Sequence, residues 1–267
     1  MRIKNYLFSM LLLFPTIGVI AQGMTDASAI NKAGRQRMLS QRMTKDYMMI
    51  GAGVKVDAAK KELDAAVALF EEQFLELQDY APSPEIVAGL EKVEELWMPF
   101  RMKVVSEPDV NEAILLIDEA NELLKACHQV VLRIQEYAKM NAAKLVNVSG
   151  RQRMLSQRIA MYYTAFYWKV PNQRIVPDFG SAVDQFDEAL KFLQAAPENT
   201  MEITKILKKT EMQWQFSRKG FDLNSGRLMP SVIYVTTNSI LKKMNTTTGL
   251  YQKVMEDLQN ESENNEK

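Results

Sequence analysis

Apolar side chains recur at intervals of three and four residues along most of the chain, which is the spacing of amphipathic helices. In the first half, breaks that contain glycine or proline near residues 51–53, 81–84 and 106–109 separate four such segments. The helical segments of this half extend over residues 25–52, 56–78, 84–105 and 109–146. No stretch alternates apolar and polar residues with the period of a strand, so we predict no strands.

The second half shows the same pattern of four helical segments. Its breaks are near residues 171–177, 196–199 and 224–230. The helical segments extend over residues 147–169, 179–195, 199–221 and 230–259. Because four consecutive helices with short connections form an up-down bundle, we predict an all-α protein of two tandem four-helix bundles.

The connection between the two bundles has two solutions. From Glu112 to Lys169 the chain contains no proline, and Gly150 is the one glycine. One long continuous helix could therefore join the bundles end to end. A turn near residues 141–149 is the alternative.

The two halves are copies of one another. Nine consecutive residues, Gly34–Arg42, recur unchanged as Gly150–Arg158, at an offset of 116. We call these two stretches the repeated segment. A repeat of this length indicates a tandem duplication of a unit of domain size. We assign residues 22–146 to the first bundle, 147–258 to the second and 259–267 to a disordered tail.

Residues 1–21 have the pattern of a secretory signal peptide. Arg2 and Lys4 precede an apolar stretch, and Ala21 supplies a small residue before the expected cleavage site. An uncleaved membrane anchor is the alternative, but the apolar run is shorter than the ~20 residues that a spanning helix needs. We therefore expect a periplasmic or secreted protein.

Composition narrows the function classes. Lys+Arg and Asp+Glu both number 33, so no basic excess indicates a nucleic-acid partner. A single cysteine, Cys127, excludes an intrachain disulfide, and a single histidine, His128, leaves no histidine pair for a metal ion. We identify no catalytic residue, no metal ligand set and no cofactor requirement, and expect a protein that is not an enzyme.

The repeated segment has two different faces on a helical wheel. Leu39 and Met43 fall on the side that faces the core of its own bundle. Glycine on the opposite face permits close approach of a second backbone, and arginine supplies planar donors for an oxyanion. The opposite face is the same in both copies: Gly34, Arg37, Met38 and Gln41, matched by Gly150, Arg153, Met154 and Gln157.

The arginines of the repeated segment have few acidic neighbours. Of the six, Arg42 alone has an acid one helical turn away, at Asp46. Water, acids on other helices or a bound anion must balance the charges of the other five. Because the cluster is duplicated, we favour an anion site over a solvated face. The five are Arg35, Arg37, Arg151, Arg153 and Arg158.

The repeated segment resembles a known family. Its run Gly-Arg-Gln-Arg-Met-Leu-Ser-Gln-Arg is similar to the N-terminal periplasmic domain of type IV pilus methyl-accepting chemotaxis transducers, the PilJ-type domain. Residues 29–34 with Arg37 and Arg42 are also similar to the signature helix of nitrate/nitrite sensor histidine kinases. The resemblance implies a helical bundle outside the cytoplasmic membrane over residues 25–258. Where a ligand is known in the family, nitrate or nitrite lies between the signature helices of two subunits.

The resemblance also implies roles for individual residues. Arg37 and Arg153 would grip the anion, and Gly34 and Gly150 would permit the close approach of the two helices. The supporting arginines and the glutamines of the same wheel face complete the candidate ligand-binding set: Gln41, Arg42, Gln157 and Arg158.

Two functions fit the sequence. The first is an exported sensor-type protein that recognises a small oxyanion such as nitrate or nitrite. Its expected partners are a second copy of the chain or a membrane-bound signalling protein. The signalling regions of the family do not follow the second bundle, so we expect that the chain does not signal across a membrane unaided. The second is a structural or adaptor protein of the cell envelope that uses the repeated segment for helix packing. Two signature helices that face each other within one chain would form one site, whereas stacked bundles would need a second chain.

Overall fold

The computed structural model describes residues 23–139 and 142–265, so the predicted signal peptide lies outside the described residues. Within these ranges the chain forms helices and no strands, which confirms the all-α prediction. The described residues form α1 (Asp26–Gly51), α2 (Val56–Tyr80), α3 (Pro84–Val104), α4 (Glu112–Ala138), α5 (Ala142–Tyr167), α6 (Ile175–Gln194), α7 (Met201–Arg218) and α8 (Pro230–Asn265).

Each half is a four-helix bundle with the same core. In the first, the Trp97 ring of α3 stacks on Phe70 of α2, with centroids 4.0 Å apart. In the second, Trp214 of α7 and Phe186 of α6 have centroids 4.1 Å apart. These aromatic pairs join the outer helices of each bundle, and their equivalence shows that the duplication preserved the packing.

Helix caps are also preserved between the halves. The Ser83 hydroxyl accepts from the backbone N–H of Ile86 at the start of α3. Thr200 accepts in the same way from Ile203 at the start of α7. Each hydroxyl satisfies a backbone donor that has no partner within its helix, which stabilises the helix start.

The two bundles lie side by side, with α1 and α5 parallel at the centre. In the first half of both helices, Arg37 of α1 donates to the backbone oxygen of Asn147 in α5. Near their ends, Thr164 of α5 lies 3.5 Å from the sulfur of Met49 in α1. The repeated segments therefore face each other within one chain, related by a pseudo-twofold axis along the helices.

The two bundles are joined by a reversal of the chain direction rather than by one continuous helix. The α4 helix ends beside Lys139, whose backbone is left-handed with φ 51°, and α5 begins at Ala142. The two helices are antiparallel, since Asn147 near the start of α5 donates to Gln135 near the end of α4 over 2.8 Å. The second bundle thus begins before the predicted boundary at residue 147.

Helix α4 ends at Ala138 rather than at residue 146, and, besides the start of α5, two other helix ends depart from the prediction by more than one helical turn. Helix α6 begins at Ile175 rather than at residue 179, because Pro177 fits the first turn, where its missing N–H has no helical partner to lose. Helix α8 continues to Asn265, so described residues 259–265 are helical where we expect a disordered tail. That stretch contains no proline or glycine to end the helix. None of the helices in the described ranges combines the length and the apolar character needed to cross a membrane.

Candidate functional site

Two buried arginines meet at the centre of the α1–α5 contact. The side chains of Arg37 and Arg153 are 2% and 0% exposed, and we call them the arginine pair. A Cβ atom added to Gly34 would lie 3.2 Å from Nη2 of Arg37 and 3.5 Å from Nη2 of Arg153. A Cβ atom added to Gly150 would lie 3.1 Å from Nη2 of Arg153 and 3.5 Å from Nη2 of Arg37. The two guanidinium groups therefore lie together in the space that the absent glycine side chains leave.

Each arginine of the pair reaches across to the opposite helix. Nη2 of Arg37 donates to the backbone oxygen of Asn147 over 3.2 Å. Nη2 of Arg153 donates to the backbone oxygen of Asn31 over 3.1 Å. The pseudo-twofold axis relates these two crosswise bonds, which hold the first half of α1 against the first half of α5.

The second contact of each arginine differs between the halves. Nη1 of Arg37 lies 3.0 Å from Nδ1 of His128 on α4. Nη1 of Arg153 donates to Oδ1 of Asn245 on α8 over 3.3 Å. Because an arginine only donates, Nδ1 of His128 must accept and therefore carries no proton. We did not predict these two residues, although His128 is the one histidine of the chain.

The charge of the arginine pair has no counter-ion in the described part of the chain. No carboxylate of the described residues lies within salt-bridge distance of either guanidinium. The Nε atoms of Arg37 and Arg153 are buried and have no hydrogen-bond partner among these residues. The pair thus combines uncompensated positive charge with unused donors.

Burial and repulsion between positive charges lower the pKa values of Arg37, Arg153 and His128. Desolvation, followed by the charge of Arg151, lowers the pKa of Arg37 to about 10. Desolvation and the charges of Arg35 and Arg37 lower the pKa of Arg153. Desolvation, then Arg37 and Arg151, lowers the pKa of His128 to about 4, so this histidine is neutral at pH 7.

The two candidate glutamines lie in the α1–α5 contact but bond to other groups. Nε2 of Gln41 donates to the backbone oxygen of Ala120 on α4 over 3.3 Å. The Gln157 amide donates to the Ser156 hydroxyl over 3.3 Å and accepts from Lys45 over 3.1 Å. The structure therefore gives them roles in holding neighbouring helices, one turn beyond the arginine pair.

The structure does not bring Arg42 and Arg158 to the arginine pair. Nη2 of Arg42 lies 3.3 Å from the carboxylate of Glu62 on α2. Nη2 of Arg158 donates to Oδ1 of Asn121 over 3.1 Å and to the Tyr162 hydroxyl over 3.3 Å. Both side chains belong to polar clusters farther along the repeated segment.

A buried lysine, which we did not predict to be part of a site, organises the cluster in the first half. The Lys45 side chain is fully buried, and its ammonium lies 4.8 Å from the centre of the Tyr234 ring. We call Lys45 and its four polar partners the Lys45 network. The distances from Nζ are 2.9 Å to Glu62, 3.0 Å to Asp46, 3.1 Å to Gln157 and 3.3 Å to Asn238.

The two carboxylates of the Lys45 network have opposite pKa shifts. Burial raises the pKa of Asp46 to about 7, although Lys45 partly opposes it. Burial also acts to raise the pKa of Glu62, but the charges of Lys45 and Arg42 outweigh it and hold that pKa at about 2. At pH 7 Glu62 is therefore ionised, whereas the raised pKa of Asp46 favours the protonated form of that carboxyl.

The fold is an all-α helical bundle, and a comparison with protein families identifies the family to which it belongs. The family model of PilJ, the type IV pili methyl-accepting chemotaxis transducer N-terminal domain, matches residues 19–123 and 138–222. Since the two matched segments cover most of the chain, the protein belongs to this family. No curated protein and no solved structure matches the chain.

Family membership supports the broader part of the functional prediction. PilJ domains are sensory and signalling domains rather than catalytic ones, and they are typically periplasmic. They imply a signalling role with membrane-bound partners. The identity of the ligand and the residues that bind it need an argument from this chain.

Proposed function

We propose that this protein is a periplasmic sensor that binds one small monovalent oxyanion, nitrate or nitrite, between Arg37 and Arg153 and acts through a membrane-bound partner. One observation carries the proposal. Two guanidinium groups are buried together, with no carboxylate of the described residues near enough to form a salt bridge.

An anion between the arginines would relieve an energetic cost that the fold otherwise bears. Two like charges taken out of water repel each other and lose their hydration. An anion shared by both supplies the missing counter-charge and accepts from donors that have no partner, including Nε of Arg37 and of Arg153. The site therefore favours an occupied state over an empty one.

The dimensions and charge of the site favour a small planar anion. Gly34 and Gly150 let the helices approach so closely that a bulkier anion would have to push them apart. Two planar forks of donors match the planar oxygens of nitrate better than they match a spherical chloride. Two charge-assisted contacts of about 1.5–3 kcal/mol each, less ordering costs, imply a Kd in the micromolar to millimolar range.

The arrangement of the helices supports one site per chain. Both repeated segments lie in the same molecule, and each contributes one arginine and one glycine. The duplicated chain is then an internal counterpart of a dimer with one shared ligand. Binding does not require a second copy of the chain.

Calorimetric titration tests this function. We expect saturable binding of nitrate or nitrite at one anion per chain, and no comparable binding of chloride or sulfate. Arg37→Gln and Arg153→Gln should each abolish measurable binding, whereas Arg227→Gln, an exposed arginine in the α7–α8 loop, should leave it unchanged. A folded protein that releases no heat with any of these anions would rule the function out.

The crosswise bonds of the arginine pair favour a second candidate function, an adaptor in which the pair only cements the two bundles. This candidate makes a different prediction. Arg37→Gln would then lower the stability of the protein in anion-free buffer, and nitrate would not raise the melting temperature of the wild type. Under the sensor proposal nitrate raises that temperature, because a ligand that binds the native state stabilises it.

A further inference from the structure

Charged residues are divided unevenly between the two halves. Residues 23–139 contain 14 Lys or Arg and 20 Asp or Glu, a formal net charge of −6. Residues 142–265 contain 16 Lys or Arg and 12 Asp or Glu, a net charge of +4. Because the two bundles lie side by side, the molecule has an acidic side and a basic side, which the total charge of zero conceals.

The outermost helices of the two sides are α3 and α7. Helix α3 packs mainly on α4, and α7 packs mainly on α8, so neither belongs to the central α1–α5 contact. The pseudo-twofold axis places them at equivalent positions on opposite sides of the molecule. Each helix leaves one long face open to solvent.

The open face of α7 combines lysines with exposed methionines. Lys205, Lys208 and Lys209 are exposed and form no salt bridge with any residue in the described ranges. Beside them Met201 and Met212 are 93% and 73% exposed. These residues line a surface groove of about 510 Å³. Apolar side chains so fully exposed between unpaired charges indicate a contact surface.

The open face of α3 has the opposite charge and the same kind of apolar residues. Glu91 and Glu94 are exposed and form no salt bridge with the described residues, whereas the neighbouring Glu95 pairs with Lys92. Met102 at the end of the helix is 76% exposed. The position of Glu91 in α3 corresponds to that of Lys208 in α7, so the charge is reversed at this position, whereas Glu94 corresponds to the exposed Glu211 at the edge of the α7 face.

We propose that the α7 face of one molecule docks on the α3 face of a second copy. Unpaired lysines of α7 would meet unpaired glutamates of α3, and flexible methionines on both faces would fill the contact between them. Because the two faces lie on opposite sides, the contact is heterologous and leaves one free face at each end. Association therefore continues beyond the dimer.

A second copy fits these surfaces better than an anionic lipid surface does. Lipid head groups would satisfy the lysines of α7 equally well. They would leave the unpaired glutamates Glu91 and Glu94 and the exposed Met102 of α3 without a role. A second copy accounts for both faces at once, and it does so independently of the anion site.

Sedimentation velocity of the purified protein at low and high salt tests the proposal. At low ionic strength the average mass should rise with concentration past that of a dimer. It should return to the monomer value in about 0.5 M salt, where exposed charges are screened. A wild type that stays monomeric at low salt, or whose growth stops at the dimer, would overturn the proposal. Lipid vesicles that bind a monomeric protein would overturn it in favour of a membrane surface.

A charge swap identifies the two faces. The variants K205E/K208E and E91K/E94K should each be monomeric, because one then has two acidic faces and the other two basic faces. An equimolar mixture of the two should associate again at low salt. The control K169E/R227E makes the same charge change in loops of the basic half and should associate like the wild type. A mixture that remains monomeric would contradict the assignment of the faces.

Discussion

The two halves of the molecule stabilise the same helix contact in chemically different ways. In the second half, the hydroxyl of Tyr162 links an arginine, an asparagine and a carboxylate. The corresponding position in the first half is Asp46, beside the buried Lys45. The residues around these two positions correspond in pairs between the two clusters: Arg42 with Arg158, Glu62 with Asp178, and Asn238 with Asn121.

The two copies of the duplicated helix differ in one part and agree in another. Lys45 and Asp46 correspond to Met161 and Tyr162, so the first half contains a buried ion pair where the second has an apolar residue and a neutral hydroxyl. The arginine pair, by contrast, is the same in both halves. The two halves thus tolerate different chemistry in the polar clusters, whereas both keep the same arginine and glycine at the centre of the α1–α5 contact.

The largest expected effect comes from breaking the Lys45 network. Lys45→Met, which copies Met161, removes the cation and leaves Asp46 buried without a charge partner. Loss of one partner of a buried pair costs about 3–5 kcal/mol. Urea unfolding at pH 8 should show this loss. The loss should be smaller at pH 5, because Asp46, whose pKa is already raised to about 7, takes up a proton and no longer needs the cation.

The double variant K45M/D46Y is the control for that prediction. It installs the residues of the second half among equivalent neighbours, Arg42, Glu62 and Asn238. Its stability should recover most of what the single variant loses. A double variant as unstable as Lys45→Met would show that the two clusters are not interchangeable.

The next largest effect is a loss of anion binding when the glycines beside the arginine pair are replaced. In Gly34→Ala and Gly150→Ala, the new Cβ would lie 3.2 Å and 3.1 Å from the nearest guanidinium nitrogen, so the guanidinium must shift. Loss of one charge-assisted bond of about 1.5 kcal/mol weakens anion binding about tenfold. Alanine is the better helix former, which offsets part of the cost of moving the guanidinium, so the loss of binding should exceed any loss of stability. Calorimetry should give similar losses for the two variants, and a loss at one glycine alone would contradict a shared site.

His128 should make the stability of the protein depend on pH. Its pKa is about 4 in the folded protein, whereas the unfolded chain titrates near 6.5. As the pH falls from 6.5 to 4, the unfolded chain takes up a proton that the folded chain does not, so the stability that is fully present above pH 6.5 is lost. His128→Asn, which copies Asn245, should remove this loss.

Urea unfolding of both chains at pH 7 and pH 4.5 measures that difference. The contribution of Asp46 has the opposite sign, but it is the same in both proteins and cancels in the comparison. The stability of His128→Asn relative to the wild type should therefore rise as the pH falls. A difference that does not change with pH would show that His128 titrates normally in the folded protein.

The smallest effect is expected at the exposed Arg151. Its charge lowers the pKa of Arg37, so it contributes to the positive potential at the site without touching the pair. Arg151→Gln should weaken anion binding only about twofold at low salt, and not measurably at high salt, because exposed charges are screened. Titrations at two salt concentrations check this. A loss as large as that of Arg37→Gln would mean that Arg151 contacts the anion.

Much of the fold and the face of the repeated segment could be predicted from the sequence. Apolar periodicity and breaks at residues such as Pro84 and Pro230 defined helices close to the observed ones. The wheel separated Gly34 and Arg37 from the core, and the structure places them against the other half of the chain. These features follow from local spacing, which a sequence displays directly.

The remaining features depend on contacts between distant parts of the chain. The buried Lys45 meets Glu62, Gln157 and Asn238, which come from three other helices and have no common sequence pattern. Arg42 and Arg158 were expected to support the arginine pair, but Arg42 bonds to Glu62 on α2, and Arg158 bonds to Asn121 on α4 and to Tyr162 one turn along its own helix. Local spacing does not show which of several polar residues on a helix a distant partner will bury.

The central claim is that the two halves share one anion, and NMR of the arginine side chains tests it directly. The Nε–H groups of Arg37 and Arg153 are buried and have no partner among the described residues, so their 15N–1H signals should be observable. Titration with nitrate should shift both signals along one saturation curve, and Arg153→Gln should abolish the shift of the Arg37 signal. Signals that do not move, or that move with two separate affinities, would contradict a single site shared by both halves.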